Sequence, residues 1–271
     1  MNENKYPFVS NPRDPRFLAL RSLQTRQTRS RTGLYIIEGI RHVARAVEHA
    51  ASISSVFLDP SDLSNPFGQK LVHRLRKRGI PGIRLSHQLY RDLTLASEPQ
   101  GVGAILRQRL LPLGGFRAQP DSLYIAVESI ESPGNLGTII RTAEAAGVMG
   151  IFLLNQDCDP YDPATVRATM GSLFSQKLIQ CSSTEFREWA RSNGVSVVAS
   201  SPAGLMDYRA LRYRFPAALV IGSEKRGLSD QALELADFVV RIPMHGWCDS
   251  LNAAVAAGVL LFEMSSRRKG Y

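Results

Sequence analysis

Three polar loops, each of which follows an apolar run, carry the side chains whose types and spacing suit catalysis. The loop ESPGNLGTIIR contains Asn135 and, six residues later, Arg141, while IGSEKRGLS contains the carboxylate of Glu224. The third loop, IPMHGWCDSLN, contains Ser250 and Asn252. A guanidinium stays protonated near neutral pH, so Arg141 is suited to hold a phosphate or to stabilise a developing oxygen anion.

The elements that must position these loops are short apolar runs. The runs LYIAV, GIFLL, KLIQC, VSVVA, AALVIG and FVVRI predict parallel strands that are buried on both faces of a sheet. Helices are predicted over 137–146, 185–192, 230–236 and 251–264. Ligands of open parallel sheets bind beyond the carboxyl ends of the strands. The candidate loops are therefore those after Val127, Leu154, Ala199, Gly222 and Ile242.

The first part of the chain predicts a second, smaller α/β module. A helix is predicted over 13–31, with Phe17, Leu20 and Leu23 facing inward, and a basic helix over 69–78. LYIIEG, ISSVFLD, GIRLS and GVGAILRQ predict its strands. The segment LLPLGGFRAQPDS combines two prolines with two adjacent glycines, which favours a boundary. We therefore predict an α/β module over 1–110, a linker over 111–117 and a parallel-sheet domain over 118–271.

The excess positive charge lies entirely in the first part of the chain. The formal net charge is +9, yet residues 1–117 contain 19 basic and 8 acidic residues and the remainder contains 14 and 16. This asymmetry favours a polyanion bound by the first module, although a merely basic surface is the alternative. Four arginines on or just beyond the first helix are the candidate contacts: Arg21, Arg26, Arg29 and Arg31.

Several classes of protein are disfavoured by what the sequence lacks. It contains no G-x-G-x-x-G, no P-loop pattern and no G-x-S-x-G, which argues against nicotinamide oxidoreductases, phosphoryl-transfer enzymes and serine hydrolases. The five histidines show no metal-ligand spacing, so no metal is expected. The longest nearly apolar stretch, 251–262, is too short to span a membrane, and the polar N-terminus is unlike a signal peptide. We therefore predict a cytoplasmic protein with no membrane partner.

Taken together, the three loops resemble the motifs of a known family, the SpoU/TrmH branch of the SPOUT methyltransferases. PGNLGTIIRTAEAAG is similar to its first motif, IGSEKRGLS to its second and IPMHGWCDSLNAAVAAG to its third. NPRDPRFLALRSLQTRQTRSRTGLYIIEGIRHVARA resembles the ribosomal-protein-like RNA-binding module that precedes the catalytic domain in many members. One departure is Ala253-Ala254, where members usually carry a Val-Ser pair.

The resemblance implies methyl transfer from S-adenosylmethionine to a ribose 2′-hydroxyl of RNA, on a domain with a deep trefoil knot. It implies a homodimer with active sites near the subunit interface. Ribosomal RNA is the expected substrate; transfer RNA, or a non-catalytic RNA-binding or assembly factor that keeps the fold, are the alternatives. The implied cofactor-binding residues are Ala199, Ser200, Gly222, Ile242, Met244 and Leu251. The implied catalytic residues are Arg141, Asn135, Glu224, Ser250 and Asn252.

The role of Arg141 is constrained by its chemistry. A guanidinium is a poor general base, because it does not lose its proton in proteins. We therefore favour a phosphate clamp that also stabilises the developing alkoxide. The proton would leave through water or through Glu224, and the sequence leaves both routes open.

Overall fold

The computed structural model describes residues 6–155, 158–223 and 225–270. The chain divides into two compact units: unit 1 comprises Met1–Gln108 with Tyr161–Phe174, and unit 2 comprises Arg109–Pro160 with Ser175–Tyr271. The segment 161–174 thus belongs to unit 1, although it falls within the range 118–271 assigned above to the second domain. The domain limits drawn from the sequence stay a prediction.

Unit 1 is built on a five-stranded mixed sheet. Numbered along the chain, its first elements are β1 (Phe8–Val9), α1 (Pro15–Ser22), α2 (Arg26–Thr32), β2 (Leu34–Glu38), α3 (Ile40–Glu48), β3 (Ile53–Leu58), α4 (Pro66–Lys77), β4 (Gly82–Leu85), α5 (His87–Arg91) and β5 (Val102–Arg107). The strand order is β1-β4-β3-β5-β2. Strands β1, β4 and β3 are parallel, and β5 is antiparallel to both of its neighbours, β3 and β2.

The helix predicted over 13–31 is two helices. Helix α1 ends at Ser22, and α2 begins after Thr25, whose hydroxyl accepts a hydrogen bond from the Thr28 N–H. Threonine favours the N-cap position because its oxygen satisfies an amide that the helix leaves unpaired, so Thr25 starts a new helix. The predicted inward residues are correct, since Phe17, Leu20 and Leu23 are all buried.

Arg29 is a structural residue, which corrects its assignment to the RNA contacts. Its side chain is only 2% exposed, and its Nη1 donates to the carbonyls of Leu23 at 3.0 Å and Gln24 at 2.7 Å. Its Nη2 lies 3.3 Å from a carboxylate oxygen of Asp162, in the segment 161–174 that belongs to unit 1. A guanidinium enclosed in this way holds α2 in place and cannot reach a phosphate. Arg21, Arg26 and Arg31 are exposed, as a phosphate contact requires.

Unit 2 contains a seven-stranded sheet, and the remaining elements of the chain follow in order. They are β6 (Leu123–Val127), α6 (Pro133–Ala145), β7 (Gly150–Leu154), α7 (Pro163–Ala168, in unit 1), β8 (Leu178–Cys181), α8 (Ser183–Ser192), β9 (Ser196–Ser200), β10 (Met206–Asp207), β11 (Ala217–Ile221), α9 (Asp230–Glu234), β12 (Phe238–Arg241) and α10 (Ala253–Lys269). The strand order is β10-β12-β9-β11-β6-β7-β8, and every pairing is parallel. The predicted parallel sheet is confirmed.

The buried strands explain why this sheet forms. Every residue of β6, β7 and β11 is buried, as expected for apolar runs covered on both faces. An aromatic cluster packs on the sheet, with the Phe152 and Trp189 ring centroids 4.4 Å apart. Helix α10 packs against α6. The predicted trefoil knot stays a prediction. Within the described ranges, no helix has the length and apolar character that a membrane crossing requires.

We expect Arg29→Ala to destabilise the protein by about 2–4 kcal/mol, because it removes charge-assisted hydrogen bonds and leaves two carbonyls and a carboxylate without their donor. Urea-induced unfolding of the full chain measures the loss. The matched control is Arg31→Ala on the exposed side of the same helix, where the change should stay within about 0.5 kcal/mol. Equal stability of the two variants would contradict the structural role of Arg29.

Candidate active site

The carboxyl ends of β12, β9 and β11 meet at one edge of the sheet, and a cavity of about 520 Å³ lies there. Five of the six predicted cofactor-binding residues line it: Ser200, Gly222, Ile242, Met244 and Leu251. The sixth, Ala199, is fully buried inside β9 and supports Ser200 rather than lining the cavity. The predicted catalytic residue Ser250 also lines the cavity.

The loop after β11 is a tight turn closed by its own backbone. Ser223 and Gly227 exchange two N–H···O hydrogen bonds of 3.1 and 2.9 Å, and Gly227 has a φ of +67°. A Cβ on Gly222 would lie 2.3 Å from the carbonyl oxygen of Gly227. Glycine is therefore required at 222 by the loop itself, which shapes one wall of the cavity. The predicted catalytic residue Glu224 lies outside the described residues.

A buried carboxylate that sequence reasoning missed anchors the far end of this loop. Glu128 directly follows β6 and is 4% exposed. Its two carboxylate oxygens accept hydrogen bonds from the Ser229 N–H at 2.9 Å and the Ser229 hydroxyl at 2.8 Å. Ser229 is in turn the N-cap of α9. The sequence did contain a signal for this residue, because Glu128 directly follows the wholly apolar run of β6.

The structure brings together two predicted catalytic residues that are far apart in sequence. Asn252 is the N-cap of α10, where its Oδ1 accepts from the N–H groups of Ala254 at 2.9 Å and Val255 at 3.3 Å. Its Nδ2 donates to Oδ1 of Asn135 at 3.1 Å. Asn252 caps the amide of Ala254, so the start of α10 is satisfied without a hydroxyl at position 254.

The helix predicted over 137–146 begins four residues earlier, at Pro133, so that it contains Asn135. Helix α6 begins one residue after Ser132, whose hydroxyl accepts from the Asn135 N–H at 3.4 Å, and Pro133 occupies the first turn. Proline is favoured there because its missing N–H would have no helical partner. Asn135 therefore lies within the first turn, where its side chain is available to Asn252.

Arg141 lies further along α6, on the exposed side of the helix. The apolar side of α6 is supplied by fully buried neighbours, Ile139, Ile140 and Ala143. Arg141 is not among the described residues that line the cavity. Its guanidinium is therefore exposed at the surface of unit 2.

One group of possible metal ligands occurs among the described residues, in unit 1. Nδ1 of His87 lies 2.8 Å from Asp59 and 3.6 Å from Asp62. The Asp59 carboxylate already accepts from the Ser61 hydroxyl at 2.6 Å. Burial acts to raise the pKa of Asp59, but the hydrogen bonds from Ser61 and His87 outweigh it and lower that pKa. The sequence could not indicate this group, because its members meet only in the fold.

Two family models match the chain, one in each part of the sequence. The SpoU rRNA Methylase family matches residues 122–262, and the MRM3-like substrate binding domain matches residues 14–104. The first match contains the whole cavity described above.

Relatives match over almost the full length. The chain is 31% identical to the 23S rRNA (uridine(2479)-2′-O)-methyltransferase of Streptomyces viridochromogenes, over 91% of this chain and 87% of the relative. The AdoMet-bound rRNA methyltransferase from Sinorhizobium meliloti is 34% identical with a TM-score of 0.87, covering 96% and 97% of the two chains. The SpoU methyltransferase AviRb from Streptomyces viridochromogenes, in complex with AdoMet, is 30% identical with a TM-score of 0.88, covering 95% and 99%. These matches confirm the resemblance: the chain belongs to the SpoU rRNA methylase family.

Proposed function

We propose that this protein transfers a methyl group from S-adenosylmethionine to a ribose 2′-hydroxyl of ribosomal RNA. The observation that carries the proposal is the cavity at the ends of β12, β9 and β11, which collects five of the six residues expected to bind the cofactor. The relatives named above support ribosomal over transfer RNA, because the methyltransferase of Streptomyces viridochromogenes is a 23S rRNA enzyme. A ribosomal RNA substrate also implies the cytoplasm as the place of action.

The residues that line the cavity fit this cofactor. Its volume of about 520 Å³ lies within the usual range for small-molecule sites of about 300–1,000 Å³. Apolar side chains for an adenine ring come from Ile242, Met244 and Leu251, and polar groups from Ser200 and Ser250. When bound, S-adenosylmethionine supplies a methyl group that its sulfonium already activates. The protein must align the hydroxyl with that group and help to remove one proton.

Arg141 acts on the RNA rather than on the cofactor. As an exposed guanidinium on α6, it holds the phosphate beside the target ribose and stabilises the developing alkoxide. The hydrogen-bonded pair of Asn135 and Asn252 fixes the start of α6 against the start of α10, so Arg141 extends from a rigid base. The proton leaves through water or through Glu224.

The RNA is held mainly by unit 1. Arg21, Arg26 and Arg31 are exposed there, in the part of the chain with the excess positive charge. Structured RNA is recognised largely through its shape and phosphates, which suits a basic surface of this kind. The match of residues 14–104 to a substrate-binding domain supports this division of labour.

A homodimer is part of this proposal. On α10, Val255 and Phe262 are 52% and 53% exposed and lie seven residues apart, on one side of the helix. Trp247 and Leu205 are also almost wholly exposed in unit 2. Large apolar side chains on a monomer surface favour burial against a partner. A second copy would also bring new groups to the active-site edge, since α10 starts beside the cavity.

Changing Gly222 should weaken cofactor binding, because any Cβ displaces the loop that forms the cavity wall. For Gly222→Ala we expect at least tenfold lower affinity for S-adenosylmethionine, about 1.4 kcal/mol, in calorimetry. The matched control is Gly246→Ala, in the loop after β12, where a Cβ would meet nothing within 4 Å and affinity should be unchanged. Wild-type affinity in Gly222→Ala would remove this loop from the binding site.

Arg141→Ala should abolish methylation without affecting folding, because Arg141 is exposed and a lost transition-state donor costs about 10²–10³ in rate. Mapping of 2′-O-methyl groups in all cellular RNA, in a strain lacking the protein, is the test. The wild type and the control Arg191→Ala, an exposed arginine of α8, should restore one ribosomal RNA site, and Arg141→Ala should not.

Three results of this mapping would change the proposal. A restored site in transfer RNA identifies the alternative substrate, and no site at all favours the non-catalytic RNA-binding factor. Full rescue by Arg141→Lys would show that a point charge suffices and that the planar phosphate clamp is wrong.

The dimer is tested by Phe262→Glu, which places a charge in the proposed interface. We expect light scattering to give twice the chain mass for the wild type and a lower mass for the variant. Phe67→Glu, an equally exposed phenylalanine on α4 in unit 1, is the control and should stay dimeric. A monomeric wild type, or a dimer that persists in Phe262→Glu, would contradict the proposed interface.

A further inference from the structure

Unit 1 contains a cavity of its own, of about 270 Å³, which no part of the proposed reaction uses. It lies where β2 ends and α3 begins, and the segment 93–100 and helix α7 form its other sides. All of its lining residues belong to unit 1. The walls are largely apolar, with Phe57, Leu93 and Val166 among them.

Two buried polar groups in the lining of this cavity make no well-formed hydrogen bond to the protein. His42 is 8% exposed, and its Nε2 has no hydrogen bond of ordinary geometry within the described part of the chain, although backbone groups of Val166 and Arg167 interact with the ring. The hydroxyl of Tyr90, a residue with no exposed surface, is in the same position, with only a weak interaction from the backbone of Val102. Buried polar groups are normally well paired in native proteins. Both groups therefore keep hydrogen-bonding capacity that a ligand in the cavity can use.

A carboxylate adds an acceptor to the same wall. Glu38 ends β2, and its oxygens accept from the Thr94 hydroxyl and, at 3.3 Å, from the Leu95 N–H. Burial raises the pKa of Glu38, although these two hydrogen bonds partly oppose the shift. A carboxylate has about four acceptor positions, so Glu38 can still receive N–H groups from a ligand.

The charges of the lining favour a neutral ring over a phosphate. The two guanidiniums of Arg41 and Arg167 are matched by the two carboxylates of Glu38 and Glu98. The volume of about 270 Å³ is below the usual range for sites that hold a whole small molecule, about 300–1,000 Å³, but it accommodates one heterocycle. The buried rings of Phe57 and Tyr90, whose centroids lie 5.8 Å apart, add aromatic surface to the apolar lining.

We propose that this cavity binds one unpaired nucleobase of the RNA substrate, by an edge that carries an amino group. The inference rests on the proposed function, which supplies the RNA. Glu38 accepts N–H groups, while His42 and Tyr90 can each donate or accept, and this set matches guanine, adenine or cytosine better than uracil. The exposed Arg41 at the rim is placed to hold the adjoining phosphate. Bases that are unstacked from structured RNA are the usual targets of sequence-specific recognition.

A cavity-filling variant with a neighbouring control tests the proposal on the full chain. Ala96 lines the cavity, whereas the adjacent Ser97 is exposed and does not. With a complete 23S rRNA transcript as the probe, Ala96→Trp should bind at least tenfold more weakly than the wild type. Ser97→Trp should bind within twofold of it. Both variants should keep wild-type affinity for S-adenosylmethionine, which shows that unit 2 is intact.

The outcomes separate this inference from the proposed function. If Ala96→Trp binds the transcript as well as the wild type does, the cavity holds no base and the inference is wrong, while the proposed function stands. If the wild type itself does not bind the transcript, the proposed RNA substrate fails. The 5′-monophosphates of guanosine, adenosine and cytidine, with S-adenosylhomocysteine saturating unit 2, then decide the inference. Weak binding of at least one of them that Ala96→Trp abolishes supports it, and no binding of any of them at high concentration overturns it.

The same mononucleotides distinguish the two sources of a base. A base that belongs to RNA should bind only weakly as the free nucleotide, because most of its affinity comes from the attached strand. Tight binding of the free nucleotide would instead identify a free small molecule as the occupant and overturn the RNA source. Ribose 5-phosphate should not bind, because it lacks the base.

Removing one of the two buried polar groups gives a second, independent test. Tyr90→Phe deletes only the hydroxyl, so the melting temperature should stay the same or rise, since a buried polar atom without a well-formed hydrogen bond is lost. The affinity for the transcript should nevertheless fall by about threefold to tenfold, the usual effect of one hydrogen bond. A lower melting temperature with unchanged affinity would show that the hydroxyl is structural, which overturns its role in binding.

Discussion

All the strand pairings of the unit 2 sheet are parallel, and this constraint decides where its chemistry occurs. Because β12, β9 and β11 are neighbours in that sheet, their carboxyl ends lie side by side. The loops that follow them start about twenty to forty positions apart in sequence, yet they share one cavity. Each loop alone is an ordinary connection between a strand and the next element. The shared direction of the strands makes them a site.

The cavity wall is held in shape by the protein itself. The loop after β11 is closed by the paired backbone groups of Ser223 and Gly227. Its far end is fixed by Glu128, through two hydrogen bonds to Ser229. Asn252 and Asn135 hold the starts of α10 and α6 together on the same edge. A site that is formed before its ligand arrives loses less entropy on binding, so more of the contact energy appears as affinity.

The sequence predicted the parts of the fold that depend on local pattern. Buried strands such as β6, β7 and β11 were evident because residues covered on both faces must be apolar throughout. The helix predicted over 251–264 exists as α10, but it begins at Ala253, because the side chain of Asn252 caps it there. The break between α1 and α2 was missed, because the cap at Thr25 outweighed the continuous helical spacing of the apolar residues.

What escaped prediction depends on partners that are distant in the chain. Arg29 was taken for a surface residue, because the carboxylate that pairs with it, Asp162, lies 133 positions away. Glu128 was missed because its partner Ser229 lies 101 positions away. The cavity in unit 1 was not foreseen, since α7 completes it from a part of the sequence assigned to the other domain.

The return of segment 161–174 to unit 1 has a consequence for how the protein is made. A ribosome synthesises the chain from its N-terminus, so the first 108 residues emerge well before Asp162 exists. During that interval the guanidinium of Arg29 lacks the carboxylate that it meets in the finished fold. The N-terminal unit is therefore complete only after β6, α6 and β7 of the other unit have been translated. In the nascent chain, unit 1 can therefore finish folding only after the first part of unit 2 has been synthesised.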